Sequence, residues 1–151
     1  MKKIVSLVTV LLFSFLLLPK ETSFADNSPP VVIKEVAWAG SVSSGSDEWI
    51  ELKNNTAEAI SLEGYQLEDD TKVVVEFSGK TIPANGYFLI EKREESTSVQ
   101  SDLIFSGMSL ANDGDALRLL KNGQEIDSVN PTGSMWPAGS STKKGTMTRI
   151  D

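Results

Sequence analysis

The stretch "SDEWIELKNNT", residues 46–56, carries the clearest strand pattern in the chain. Ile50 and Leu52 point to one side of an extended backbone, because successive side chains of a strand alternate between its two faces. The pattern predicts a half-buried strand over residues 48–54 and a turn at residues 54–56. The opposite face of that strand takes three larger or charged side chains: Trp49, Glu51 and Lys53.

Short apolar runs and turn residues occupy the chain on both sides of this stretch. Gly, Pro, Asn and Asp separate the runs, and Asn122-Gly123 between two of them is the strongest short hairpin signal. No convincing amphipathic helix is present after the N-terminal region. We therefore expect an all-β sandwich of about seven to nine strands. Its core should include four residues: Ile50, Leu52, Leu89 and Leu119.

The N-terminal residues have the three parts of a secretory signal peptide. Lys2 and Lys3 precede an apolar run over residues 4–18, and the Ser-Phe-Ala triplet that ends at Ala25 fits a cleavage site, so Asp26 would begin the mature chain. A retained anchor is the alternative. The apolar run is shorter than the ~20 residues that a spanning helix needs, which favours cleavage.

Signal cleavage sets the expected organisation of the chain. Residues 1–25 would be the signal peptide, residues 26–30 a Pro-containing linker, and residues 31–151 one β-sandwich domain. We expect no membrane span after cleavage, and a protein that is secreted or held at the cell surface.

Composition excludes several kinds of chemistry. The chain has no histidine and no cysteine, which removes Ser-His-Asp and Cys-His nucleophiles, imidazole zinc sites and disulfides. Its net charge is −7, and loss of the signal peptide would make it more acidic. An acidic chain without a basic patch repels phosphate backbones, so nucleic acid is not an expected partner.

Six motifs follow one another after the predicted signal peptide. They are VIKEVAWAG (32–40), DEWIELKNNT (47–56), ISLEGYQLED (60–69), TIPANGYFLIEK (81–92), LANDGDALRLLKNGQEIDSV (110–129) and TMTRI (146–150). In this order the chain resembles the lamin tail domain family in its bacterial secreted form. The resemblance implies an immunoglobulin-like β-sandwich.

The same resemblance implies a non-catalytic binding or scaffolding module, whose partner we expect to be an extracellular protein or a glycan. Two other functions stay open. One is an accessory domain for a separately encoded exported enzyme, for example a nuclease. The other is a glycan-active enzyme that uses surface carboxylates.

Three residues are candidates for a binding surface: Trp49, Glu51 and Trp136. An exposed tryptophan beside acids suits the stacking of a sugar ring; otherwise Trp49 simply covers the outer face of its strand and Trp136 caps the core. We expect Glu51 to stay ionised, because water and Lys53 lie on its side of the strand.

Glu35 breaks the alternation of its strand, so either a bulge intervenes or its carboxylate lies at the edge of the core. A buried carboxylate needs a partner. We therefore predict an ion pair between Glu35 and Arg149, with a catalytic Glu35–Glu51 pair as the alternative.

The sequence gives no catalytic, cofactor-binding or metal-binding residue. Asp69-Asp70 and the NDGD stretch at residues 112–115 are acidic turns that lack the twelve-residue pattern of an EF-hand loop. We expect at most weak calcium binding there.

Overall fold

The computed structural model describes residues 28–70 and 74–150. Eleven strands lie in these two ranges, numbered β1 to β11 in chain order, and the regular structure there is entirely β. No helix in the described part of the chain is long and apolar enough to cross a membrane. The predicted signal peptide over residues 1–25 and its cleavage site at Ala25 and Asp26 lie outside the described residues.

Two antiparallel sheets supply the sandwich, and one parallel strand pair joins the larger sheet at its edge. The five-stranded sheet has the order β11 (Met147–Thr148), β1 (Val31–Ala37), β2 (Trp49–Asn54), β7 (Tyr87–Glu91) and β8 (Leu103–Ile104). The four-stranded sheet has the order β10 (Gln124–Val129), β9 (Leu117–Lys121), β4 (Tyr65–Glu68) and β5 (Val74–Glu76). A separate pair consists of β3 (Ile60–Ser61) and β6 (Thr81–Ile82).

This architecture confirms the predicted immunoglobulin-like all-β fold. Four of the eleven strands have only two residues, which explains why the sequence predicted fewer. Asn122 and Gly123 both adopt positive φ, at 52° and 79°, between β9 and β10. Two positive φ values are the signature of a type I′ turn, so the hairpin predicted from Asn-Gly is confirmed.

The core lies between the inner faces of the two sheets. Ile50, Leu52 and Leu119 are fully buried, as the alternation predicted. Leu89 is buried as well, at 7% exposure, but it lies on the outer face of the sheet and not between the two sheets. It pairs with Glu51, whereas the residues on either side of it face the inner side chains of β2: Phe88 lies opposite Leu52 and Ile90 opposite Ile50.

A buried asparagine ties the end of β2 to the neighbouring turns. The Asn54 side-chain amide donates to the carbonyl oxygens of Glu58 at 2.7 Å and Pro83 at 2.8 Å, and its oxygen accepts from the backbone N–H of Thr56 at 2.8 Å. These bonds satisfy both ends of a side chain that is excluded from solvent, so the predicted turn is also a fastening point between two segments.

A bulge in β1 decides where its charged residues point. The pairing of β1 with β2 shifts between Ile33 and Glu35, so Lys34 is the extra residue and Glu35 lies opposite Glu51 on the outer face. The bulge that the sequence left open is therefore present. Glu35 accepts a hydrogen bond from the Thr146 hydroxyl.

The predicted ion pair between Glu35 and Arg149 was wrong, because the acidic partner of Arg149 is Asp127 and not Glu35. Arg149 binds Asp127 of β10, with its Nη2 at 2.8 and 2.9 Å from the two carboxylate oxygens. Asp127 also accepts the backbone N–H of Ile33 at 2.7 Å. Because the bulge turns Glu35 outward, Asp127 is the carboxylate that reaches the gap between the two sheets. We call the contacts of Asp127 with Ile33 and Arg149 the edge latch.

Candidate binding groove

The outer face of the five-stranded sheet brings two of the three predicted binding residues together. Trp49 and Glu51 lie two residues apart on β2, so both point away from the core. Glu51 has Glu35 across from it on β1 and Leu89 across from it on β7. Tyr87, two residues before Leu89, shares this face and is 49% exposed.

The segment over residues 92–102 folds back along this face and forms a wall. The buried carboxylate of Glu91 accepts the backbone N–H of Thr97 at 2.8 Å. Asp102 accepts the backbone N–H of Leu89 at 2.8 Å, and its own carbonyl accepts from Lys80 at 2.8 Å. Three hydrogen bonds thus hold the loop at its centre and at its end. β7 supplies the partner in two of them, through Glu91 and Leu89, and Lys80 supplies it in the third.

Floor and wall together enclose a groove of about 320 Å³, open to solvent. Its floor is Trp49, Glu51, Tyr87 and Leu89. Its wall is formed by Thr97, Val99, Gln100 and Asp102. We call this space the Trp49 groove; its surface is mainly apolar, with Val99 66% exposed at the rim.

The Trp49 groove is elongated along the strands. Trp49 lies opposite Glu91 and Lys53 lies opposite Tyr87, so the two aromatic residues are offset by four residues along the strands. At ~3.3 Å per residue this separation is about 13 Å. A ligand that contacts both rings must therefore be extended.

The carboxyl group of Glu51 has a raised pKa. Burial is the main cause, the Glu35 carboxylate opposite it adds to the effect, and Lys34 opposes it. The sequence placed only water and Lys53 beside Glu51, whereas the structure adds partial burial and, through the bulge, a second acid; ionisation of Glu51 at neutral pH stays a prediction. Glu51 makes no hydrogen bond or ion pair with the residues that the structure describes.

Asp47 and Glu48, the first acids of the opening stretch, are engaged elsewhere. Asp47 accepts hydrogen bonds from Ser41 and Arg93, and the Ser41 hydroxyl, followed by Arg93, lowers the pKa of its carboxyl against the effect of burial. Glu48 pairs with Lys92 at 3.0 Å. Both acids fasten the start of the loop wall to the start of β2.

Trp136, the third predicted binding residue, is part of the core and offers no exposed ring. It is 6% exposed and stacks on Trp38, with ring centroids 5.9 Å apart and planes 7° from parallel. Its indole N–H donates to the carbonyl of Ala111 at 2.7 Å. Trp136 therefore caps one end of the sandwich, which was the alternative that the sequence left open.

The two acidic turns meet in space. Asp115 is buried and accepts backbone N–H groups from Asp70, Ala111 and Ala116, while burial, with a contribution from Asp69, raises the pKa of its carboxyl. Within residues 28–70 and 74–150 no group of three or more acids is arranged to hold a metal ion. The expectation of at most weak calcium binding stays a prediction.

Six of the eight residues that line the groove were missed from the sequence. Tyr87 and Leu89 alternate with Phe88 and Ile90, but only the pairing of β7 with β2 shows that they point outward. The wall residues Thr97, Val99 and Gln100 carry no comparable signal.

Two packed antiparallel sheets define the class of small immunoglobulin-like β-sandwich domains. The chain belongs to the Lamin Tail Domain family, which it matches over residues 25–133. The family resemblance found in the sequence motifs is thereby confirmed, and the bacterial secreted form stays a prediction. No curated protein matches the chain.

Proposed function

We propose that the chain is an exported, non-catalytic binding module whose ligand is a glycan held in the Trp49 groove. The observation that carries this proposal is the pair of outward aromatic side chains, Trp49 and Tyr87, on one open groove floor. Solvent-facing aromatic rings offer flat apolar surface to the faces of sugar rings.

The shape and polar groups of the groove support a polymer as the ligand. A floor whose two aromatic residues are offset by about 13 Å along the strands suits a chain of several sugars better than one small molecule. Glu51 and Gln100 supply oxygen and amide groups within this apolar surface, where hydroxyl groups find partners. Few polar groups on a mainly apolar surface are typical of ligand sites.

The arrangement of carboxylates supports binding without hydrolysis. Glycosidases place two carboxyl groups on either side of the bond that they cleave. In the groove, the Asp102 carboxylate is already bound to the N–H of Leu89, and Glu35 lies on the far side of Glu51, bonded to Thr146. Of the two carboxylates that line the groove, Glu51 is then the one with no hydrogen bond on either oxygen from the described residues.

Binding is tested by retention of the purified protein on a panel of insoluble polysaccharides and peptidoglycan, followed by titration with soluble oligosaccharides. Trp49→Ala should weaken binding about tenfold, as expected for loss of an aromatic anchor. Met135→Ala is the matched control, because Met135 is 79% exposed and does not line the groove. Failure of every glycan to bind the wild-type protein would overturn the proposal.

The same incubations test for catalysis. Release of soluble sugars that is lost in Glu51→Gln would show a glycan-active enzyme instead of a binding module. Export is tested separately: N-terminal sequencing of protein from the medium should begin at Asp26, after Ala25. Full-length protein retained in the membrane would contradict signal cleavage.

A further inference from the structure

Two carboxyl groups line the Trp49 groove. Glu51 lies in the floor and Asp102 in the wall, and Glu35 faces Glu51 from the neighbouring strand. The lysine that acts on Glu51, Lys34, extends its ammonium to the carbonyl of Arg149 at 2.9 Å. The groove therefore presents negative charge next to an aromatic ring, with no lysine or arginine in its lining.

The Glu51 carboxylate faces another acid and has no cationic side chain beside it in the groove lining. Like charges opposite each other on neighbouring strands are destabilising, and partial burial adds to the cost of ionisation. The face of an indole ring attracts cations, and Trp49 is two residues from Glu51 on the same face. A ligand cation between ring and carboxylate would satisfy both.

We propose that the Trp49 groove selects glycans with free amino groups, and that Glu51 and Trp49 hold the ammonium. This inference rests on the function proposed above and names the class of glycan. The ammonium donates charge-assisted hydrogen bonds to the oxygens of Glu51, while the sugar rings lie on the apolar floor between Trp49 and Tyr87.

A basic peptide would meet the same charges, but the floor disfavours it. Extended peptides bind sheets mainly by adding a strand to an unpaired edge. β2 lies between β1 and β7, and on the other side of β7 the backbone of Leu89 and Glu91 is bonded to Asp102 and Phe105. Most backbone groups of the floor are therefore used, which favours a ligand that binds through its faces and side groups.

The experiment compares three probes by calorimetry at about pH 6, where amino groups are protonated. The probes are a glucosamine hexamer, its fully N-acetylated counterpart and hexalysine. The glucosamine hexamer should bind about tenfold more tightly than the acetylated one, a difference expected of a charge-assisted hydrogen bond combined with a cation–π contact.

Two variants separate the effect of the Glu51 charge on binding from an effect on folding. Glu51→Gln should reduce the preference for the amine to about twofold or less, because it weakens binding of the glucosamine hexamer more than binding of the acetylated one. Glu76→Gln is the matched control, because Glu76 is an exposed strand carboxylate on the four-stranded sheet, and it should change neither affinity. A urea midpoint for Glu51→Gln at or above that of the wild type shows that the variant is folded.

Each other outcome is decisive. Equal binding of both hexamers overturns the amine preference and leaves the glycan-binding function standing. No binding of either hexamer, or of any other glycan, overturns both proposals. Tighter binding of hexalysine than of the glucosamine hexamer would show a site for basic peptides.

Discussion

Replacement of Asp127 by alanine tests the edge latch, which joins the five-stranded sheet to β10. The Asp127 carboxylate accepts the backbone N–H of Ile33 at 2.7 Å and pairs with Arg149 at 2.8 Å. Its side chain is 7% exposed, so water cannot readily replace either contact.

The expected loss follows from these two contacts. A hydrogen bond that involves a charged group contributes about 1.5 to 3 kcal/mol, and its removal leaves the N–H of Ile33 without an acceptor. Arg149 is 34% exposed, so solvent screens the ion pair and limits it to about 1 kcal/mol. Asp127→Ala should therefore lower the free energy of unfolding by about 2 to 4 kcal/mol.

Urea unfolding followed by circular dichroism measures the change, with three further variants. Asp127→Asn keeps an acceptor for Ile33 and should lose less. Glu125→Ala removes a half-exposed carboxylate from the same strand, 3.6 Å from Arg118, and should cost less than about 1 kcal/mol. Glu35→Gln should also have a small effect, since Arg149 is not its partner.

Two results would refute this reasoning. A loss below about 1 kcal/mol in Asp127→Ala would mean that the latch adds little to the stability of the edge. Equal losses in Asp127→Ala and Glu125→Ala would mean that burial and the contact with Ile33 do not distinguish the two acids.

Three further changes test other parts of the structure. Leu52→Ala should cost about 2 to 5 kcal/mol in urea unfolding, because Leu52 is fully buried; a loss below about 1 kcal/mol would contradict the register of β2. Trp136→Ala should cost about 3 to 5 kcal/mol and change the near-ultraviolet dichroism of the stacked Trp38, whereas an unchanged spectrum would contradict the stack. Glu51→Gln should stabilise the protein at pH 7. A raised pKa in the folded state means that the ionised carboxyl is disfavoured there, so the gain should disappear below about pH 4, where the carboxyl is protonated in both states. A gain that persists at that pH would show another cause.

The fold could be predicted because β2 alternates cleanly and the turns have specific chemistry. A period of two was enough to predict that Ile50 and Leu52 point inward. The preference of Asn-Gly for positive φ was enough to predict the hairpin at Asn122-Gly123. The face of Leu89 could not be predicted in the same way, because residues 87–91 are nearly all bulky and apolar. Only pairing with β2 shows which of them point inward.

The candidate site was harder to predict, because it depends on one inserted residue and one folded loop. The bulge at Lys34 reverses the face of Glu35, and a shift of one residue has this effect on every side chain that follows. Trp136 stands alone between Met135 and Pro137, so no period indicated whether its ring was buried. The wall of the groove comes from contacts between residues distant in sequence, for which the sequence carries no local signal.

The pairing of the first strand with the last has a consequence for how the chain folds as it is synthesised. β1 has β2 on one side and β11 on the other, and Glu35 reaches Thr146, 111 residues later. Closure over so long a loop is slow, and it waits for the C-terminal residues to leave the ribosome. Until then one edge of β1 has no partner and the latch is open. A chain that has not yet been synthesised as far as residues 146–149 therefore cannot complete the five-stranded sheet.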